Sequence, residues 1–589
     1  MSFWKIFFGS LLGVIVGIFL LVLISGIIIS GIVSTFSKEE TVSVKSNSVL
    51  EMTLDYEIPE QTDYQPFAGF SFTDFQPTVS PGLYDILKTI KKAKGDADIK
   101  GIYLNSGFVN AGMATIDQIR NALIDFRKSG KFVIAYTEVS TEKTYYLNSV
   151  ADKIYVNPKG AIEFNGISVR YPFYKEMLQK LGVETQVFYD GKFKTATEPY
   201  RLDSMSKENK LMTSVLINDI QNRIINNIAV SRNIDPMRLD SINKNLAVRN
   251  THDAKRYNLV DGEKFEDEVF DDIKMRLHIG QKDKITFIPL AKYMKAPGTE
   301  NNGAGTDRIA VLFAAGDIVD GKGGDDYIGS SKYAEQLQKL RDDNNVKAVV
   351  LRVNSPGGSS LASDVIAHEV ELTKLKKPVV ISMGDYAASG GYYISALASK
   401  IVAQPNTLTG SIGVFAIFPN FQKLCKDKLG ITVDGVSTGK YSDFPNLNRP
   451  LRADEKLIIQ NEVDTIYDQF KSIVVRGRNI DRAKVDSIAQ GRVWTGVQGL
   501  QLGLVDTLGG LDDAIKIAAH LAHLASYRIS EYPEKKNAWY QFAKMVTESR
   551  ETKVLKEKLG TYYPMVNQLK SLMSMKGIQA RLPSLIEIE

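Results

Sequence analysis

The chain has 589 residues, 44% of them hydrophobic and 24% charged, which is ordinary globular composition for several domains. A net charge of +5 over that length, with no basic block, excludes nucleic-acid binding as the organising theme. The single cysteine, Cys425, excludes an intrachain disulfide and a cysteine-based zinc site. Of five scattered histidines only His520 and His523 share a helical face, so no metal or organic cofactor is implied.

From Phe7 to Val33 the chain is uncharged and almost wholly apolar. That exceeds the roughly 20 residues a helix needs to cross a bilayer, and the apolar core of a cleavable leader is only about 7–15 residues. A retained single-pass anchor is therefore expected over residues 1–40. Lys5 before the run, with Lys38, Glu39 and Glu40 after it, favours an inside amino terminus. The body is then expected outside the cytoplasm, in the periplasm of a bacterium with two membranes. Residues 56–82, rich in Tyr, Phe, Pro and Gln, are expected to form a loop or rim.

The body is written twice. DADIKGIYLN at 96–105 answers DNNVKAVVLR at 343–352, and YYLNSVADKIYVNP at 145–158 answers YYISALASKIVAQP at 392–405, both displaced by 247 residues. SRNID at 231–235 answers GRNID at 477–481, and NLVDG at 258–262 answers GLVDT at 503–507. A first repeat over 41–300 and a second over 306–525 follow, separated by the polar, Gly-rich KAPGTENNGAGTD. Each alternates short β-branched runs with amphipathic stretches, which predicts βαβ units and mostly parallel α/β sheets. Residues 526–589 read as an extension, helical and amphipathic through NAWYQFAKMVTESRETKVLKEKLG.

Active sites on such sheets lie beyond the carboxyl ends of the strands. Two segments fall there: Asn354-Ser355-Pro356-Gly357-Gly358, and Ser389, which follows the apolar run Pro378–Met383 and precedes Gly390 and Gly391. A serine at a strand-to-helix turn is well placed for a nucleophile, with N–H groups at the helix start for an oxyanion. A small-residue turn with a capping serine is the alternative. Ala387 stands where G-x-S-x-G needs its first glycine, so a hydrolase nucleophile elbow is not indicated. Helical spacing is expected from Tyr392 to Ser399.

The repeats have kept different residues. Opposite Ser389 the first repeat has Glu142, and opposite Lys194 in GKFKT the second has Ser442 in GKYSD. No Ser-His-Asp set surrounds the turn, whereas a lysine made neutral by burial can serve as base in a serine–lysine dyad. On this reading Ser389 attacks and Lys194 takes and returns its proton. Gly358 and Gly390 N–H groups hold the oxyanion, and Ser411 in LTGSIG orients the lysine. A solvated surface role for Lys194 is the alternative, and Lys440 within the second repeat stays open as a rival base. Tyr392, Tyr393 and Phe415–Phe418 line a cleft or pack in the core.

Taken together, SPGG, GDYAASGGYY, PNTLTGSIGV, GKFKTATEP and GRVWTGVQGLQLGLVD resemble the signal peptide peptidase A family, in its long tandem-repeat bacterial form, over nearly the whole chain. The resemblance implies two Clp-protease/crotonase-like repeats and a membrane-anchored serine endopeptidase with Ser389 as nucleophile, Lys194 as base and Ser411 assisting. It also implies signal-peptide remnants as substrates, a homotetramer and residence in the inner membrane. A crotonase-like acyl-CoA enzyme and a catalytically inactive membrane scaffold are the competing readings.

Overall fold

A computed structural model of the chain describes residues 3–37, 42–65, 78–297, 306–534, 558, 560 and 577–582. It opens with a helix of 35 residues, Phe3–Ser37. The stretch Phe3–Ile24 has a mean hydropathy of 2.9 and is not buried in the protein, so this helix is long and apolar enough to cross a membrane.

Each repeat builds one sheet. The first runs Gly262–Glu263, Lys153–Ile162, Phe132–Ser140, Ile99–Asn105, Ser48–Met52, Thr286–Pro289 in spatial order, every pair parallel. The second runs Val493–Thr495, Leu408–Gly410, Val379–Ala388, Val346–Ser355, Arg308–Ala315, Arg528–Tyr532, antiparallel only at Val493–Thr495. Helices cover both faces, so central strands read as near-continuous apolar runs, as in KAVVLRV at 347–353. Helices Leu83–Gly95 and Met113–Arg127 bury Ile86, Ile90, Ile116, Ile119 and Leu123 on one face of the first sheet. Ser330–Asp342 and Ser360–Lys374 take the same places on the second. On the opposite faces lie Glu266–Leu277 and Leu511–Leu521. The latter buries Leu511, Ala514, Ile515, Ala518 and Ala519, a one-sided stripe at helical spacing.

The helix expected from Tyr392 to Ser399 is a single turn, Gly390–Tyr393. The chain has to re-enter the sheet at Lys400–Ala403, and Ser399 N–H already donates to Val379 O at 2.8 Å, which leaves no length for a second turn. Asp63–Gln65 and Thr78–Ser80 form a short antiparallel ladder within the aromatic segment. Residues 66–77 of that segment lie outside the described residues, as do 535–557, which hold most of the amphipathic stretch expected near the carboxyl end.

A third, mixed sheet joins the repeats. Its order is Tyr327–Gly329, Asp317–Val319, Gly357–Ser359, Gln579–Arg581, Val414–Asn420, Glu184–Asp190. The last pairing is antiparallel and continuous, from Asp190↔Val414 to Glu184↔Asn420, so a first-repeat strand completes a second-repeat sheet. Side chains tie the repeats as well. Fully buried Arg352 donates to both Glu60 carboxylate oxygens at 2.8 and 3.1 Å, and to Ser382 Oγ and Met383 O. A buried charge of this kind is tolerated because it is paired with a carboxylate and each of its three nitrogens finds an acceptor. Thr115 donates to Asp385 through N–H and Oγ1 at 2.9 and 2.6 Å, which fixes the first repeat beneath the turn that leads to Ser389.

Candidate active site

Ser389 ends the strand Val379–Ala388 and caps the turn Gly390–Tyr393 with φ 54° and ψ −113°. A non-glycine residue in that region costs about 1–3 kcal/mol and persists only where its surroundings hold it. Here its N–H donates to Gly410 O at 2.8 Å, pinning the turn to the neighbouring strand. Ser411 follows that strand with φ 50° and donates its N–H to Arg492 O at 2.7 Å.

Lys194 arrives from the other repeat. The strand Glu184–Asp190 delivers the chain to a turn at Gly191, and Lys194 N–H donates back to Gly191 O at 3.1 Å. The second repeat grips this turn: Phe193 N–H donates to Gln490 O at 2.7 Å, and Gly491 lies flat against the Lys194 backbone. A methyl group at Gly491 would stand 2.6 Å from Lys194 Cα, and its φ of +75° suits only glycine well.

The three side chains meet in a closed space. Lys194 Nζ is 2.8 Å from Ser389 Oγ, 3.2 Å from Ser411 Oγ and 3.4 Å from Ser411 O. Ser389 Oγ also donates to Gly413 O at 3.3 Å. Lys194 is 1% exposed and both serines 0%. Among the described residues no carboxylate pairs with the lysine, and burial alone pushes its pKa well below the usual lysine value. A neutral amine has two N–H groups and one lone pair. Here Nζ donates to Ser389 Oγ while the hydroxyl points to Gly413 O; with the amine's N–H groups on the two Ser411 oxygens and the hydroxyl turned from Gly413 O, the lone pair can take the Ser389 proton.

Gly357 (φ +101°) packs against the Gly390 turn that follows Ser389, and Gly358 (φ +158°) against Ile318 of the neighbouring strand. A methyl group on Gly357 would sit 2.7 Å from Gly390 N, and one on Gly358 would sit 2.0 Å from Ile318 O, so both positions need glycine. The Gly357 and Gly390 backbones thus lie in close approach beside Ser389.

The other sequence candidates fall elsewhere. Glu142, the first-repeat counterpart of Ser389, is buried and accepts from Asn165 N–H, Gly166 N–H, Gln221 and Asn243, a satisfied structural carboxylate. Lys440 is 63% exposed and ion-paired with Asp454, which raises its pKa and keeps it cationic. Lys192 and Ser442 are exposed. Tyr392 and Tyr393 are core residues whose hydroxyls donate to Leu504 O at 3.0 Å and Asp364 Oδ1 at 2.8 Å. Phe415 is buried with its ring centre 5.9 Å from Lys194 Nζ and walls the site. Sequence reasoning gave no site role to the Gln490–Gly491 turn, although Gly491 opens the GRVW motif.

Comparison with known proteins gives two matches to the model of peptidase family S49, at residues 125–279 and 371–525. Protease 4 of Haemophilus influenzae is 37% identical over 450 residues, 75% of this chain and 73% of that protein. Protease 4 of Salmonella typhi is 36% identical, covering 77% and 74%. The chloroplastic serine protease SPPA of Arabidopsis thaliana is 34% identical, covering 82% and 70%. Among solved structures, a ClpP1 mutant from Listeria monocytogenes matches with a TM-score of 0.24 and 15% identity, over 35% of this chain and 94% of its own.

Proposed function

The chain belongs to peptidase family S49, and from that premise we propose that it is a membrane-anchored endopeptidase working through a Ser389–Lys194 dyad shared between its two repeats. The observation that carries this reading is the contact at 2.8 Å between a buried lysine without a carboxylate partner and a strained serine. Ser389 Oγ adds to the peptide carbonyl as its proton passes to the Lys194 lone pair. The Gly358 and Gly390 N–H groups receive the oxyanion. The lysine, now cationic in an apolar space, returns the proton to the leaving amine, and water repeats the cycle on the acyl-serine. Ser411 positions the amine without touching substrate.

The proposed substrates are signal-peptide remnants and similar apolar peptides. The helix Phe3–Ser37, inserted in the inner membrane with the body on the periplasmic side, would hold the enzyme beside them. The test is turnover of a synthetic signal-peptide core by the purified full chain. Activity on that peptide is expected, with Lys440→Ala within about twofold of the parent, as for surface changes away from a site. Turnover that disappears with Lys440→Ala would move the base into the second repeat and overturn the shared dyad.

We also propose a homo-oligomer, of which the tetramer is one closure. The strand Glu184–Asp190 pairs with Val414–Asn420 of the following repeat. Its own counterpart in the second repeat, residues 432–438, is exposed throughout, with Val433 at 64% and Val436 fully open. The first-repeat counterpart of Val414–Asn420, residues 167–173, alternates half-buried and exposed residues and belongs to no strand. Pairing 432–438 of one copy with 167–173 of the next repeats the internal junction head to tail, and such contacts form a ring when the rotation between copies closes. The mass of the detergent-solubilised chain should be a multiple of the 65.4 kDa protomer, and a stable monomer contradicts the pairing.

A further inference from the structure

Arg492 stands beside the base without a part in the proton transfer. It follows the Gln490–Gly491 turn, and its carbonyl accepts the Ser411 N–H at 2.7 Å while its own N–H donates to Ala489 O at 2.9 Å. Its guanidinium lies across two aromatic rings, 5.1 Å from the centre of Phe193 and 4.2 Å from that of Trp494. Phe193 is the residue before Lys194 on the first-repeat turn. Trp494 belongs to the strand Val493–Thr495, which pairs with Leu408–Gly410, the strand that pins Ser389 N–H and leads into Ser411.

Among the described residues this guanidinium makes no hydrogen bond and no ion pair, and burial alone lowers its pKa. Arg352 and Arg120 differ, each held by four hydrogen bonds. What Arg492 offers is its flat face, which stacks on aromatic rings as a lysine ammonium does not. The two copies of the repeat point the same way. SINKNLAVRN at 241–250 answers SIAQGRVWTG at 487–496. Asn245, Leu246 and Val248 therefore occupy the places of Gly491, Arg492 and Trp494, and Leu246 is 51% exposed. The stack exists only in the copy that carries the serine.

We propose that Arg492 is a positioning residue: stacked on Phe193 and Trp494, it clamps the Lys194 turn onto the Ser411 strand and keeps water from the Lys194 amine. The proposal deepens the Ser389–Lys194 reading above and rests on it. Burial is what disfavours the charged lysine, so a turn free to lift would let water reach Nζ and return its proton affinity toward the ordinary value. The other titratable groups around this turn are Asp190 at its start, with Asp464 and Lys471 beyond it, and exposed Lys192. Tyr467 accepts from Gln490 N–H at 3.0 Å, with Asp486 and Arg482 behind it. None of these bonds to Nζ, whose partners are Ser389 and Ser411.

The test is the rate at which a fluorophosphonate acylates Ser389 in the purified full chain, followed against pH for the parent, Arg492→Ala and Arg492→Lys. In Arg492→Ala the midpoint of the rise should move up by about one pH unit or more, so that labelling on the acid limb falls about tenfold while the limiting rate at high pH stays within about twofold of the parent. Arg492→Lys, which keeps the charge and loses the flat face, should shift the same way by less; it carries the test if the alanine chain shows no cooperative melting. A midpoint at or below the parental value in the folded variants, whatever their rate, overturns the proposal and leaves the dyad standing. A parent whose labelling shows no ionisation below the ordinary lysine value overturns the dyad reading, and this proposal falls with it.

Discussion

Ser389→Ala should lower kcat/KM on an apolar signal-peptide substrate by at least about 10⁴-fold, since loss of a serine nucleophile costs roughly that much or more in enzymes whose groups act as a unit. The fold should survive. The side chain is buried but makes only hydrogen bonds to Lys194 and Gly413 O, and a hydrogen bond of this kind contributes about 1 kcal/mol net. The strained φ is held by the Gly410 contact and the glycines of the turn, which the substitution leaves in place. Steady-state kinetics with thermal unfolding of the same preparation checks both statements. A variant retaining a tenth of parental activity would remove Ser389 from the chemistry.

Lys194→Met should be equally inactive and more stable. Methionine keeps much of the apolar stem and discards an amine that burial holds neutral in the folded chain. The unfolded chain keeps that lysine protonated up to its ordinary value near 10.5. Between the depressed folded value and that ordinary value, folding must therefore strip a proton, so stability attributable to Lys194 rises with pH across the window and levels off above it. The methionine variant should unfold at higher temperature at neutral pH, with the advantage shrinking as pH climbs. Activity of the parent carries the same sign, lost as pH falls through the depressed value because the base becomes charged. Melting curves at several pH values check the stability claim, and a variant destabilised at pH 7 contradicts it.

The sequence made the repeats legible because both copies kept their strand–helix punctuation, whereas the Ser389 turn alone read equally as a capped small-residue turn and gained its meaning from the comparison of the two copies. Complementary loss singled out Lys194: position 389 became Glu142 in one copy and position 194 became Ser442 in the other. The satisfied environment of Glu142 and the exposure of Ser442 give that pattern a physical meaning, one position being reused structurally and the other released to solvent. The grip of Gln490 and Gly491 on the lysine turn was not legible, since a glycine selected for close approach looks like any turn glycine. Nor was the strand Gln579–Arg581. Three residues with no periodicity carry no strand signal, and their pairing depends on edges contributed by segments more than 150 residues earlier in the chain. Helical spacing also overran at Tyr392–Ser399, where the return to the sheet ends the helix after one turn.

The measurement that bears most directly on a dyad shared between repeats is the rate at which a fluorophosphonate acylates the purified chain as a function of pH, with the adduct located by peptide mass mapping. The parent should be labelled at Ser389, at a rate that rises through one ionisation well below the ordinary lysine value, and Lys194→Met should be labelled far more slowly at every pH. Labelling of another serine, or of Ser389 at the parental rate in Lys194→Met, would contradict the account.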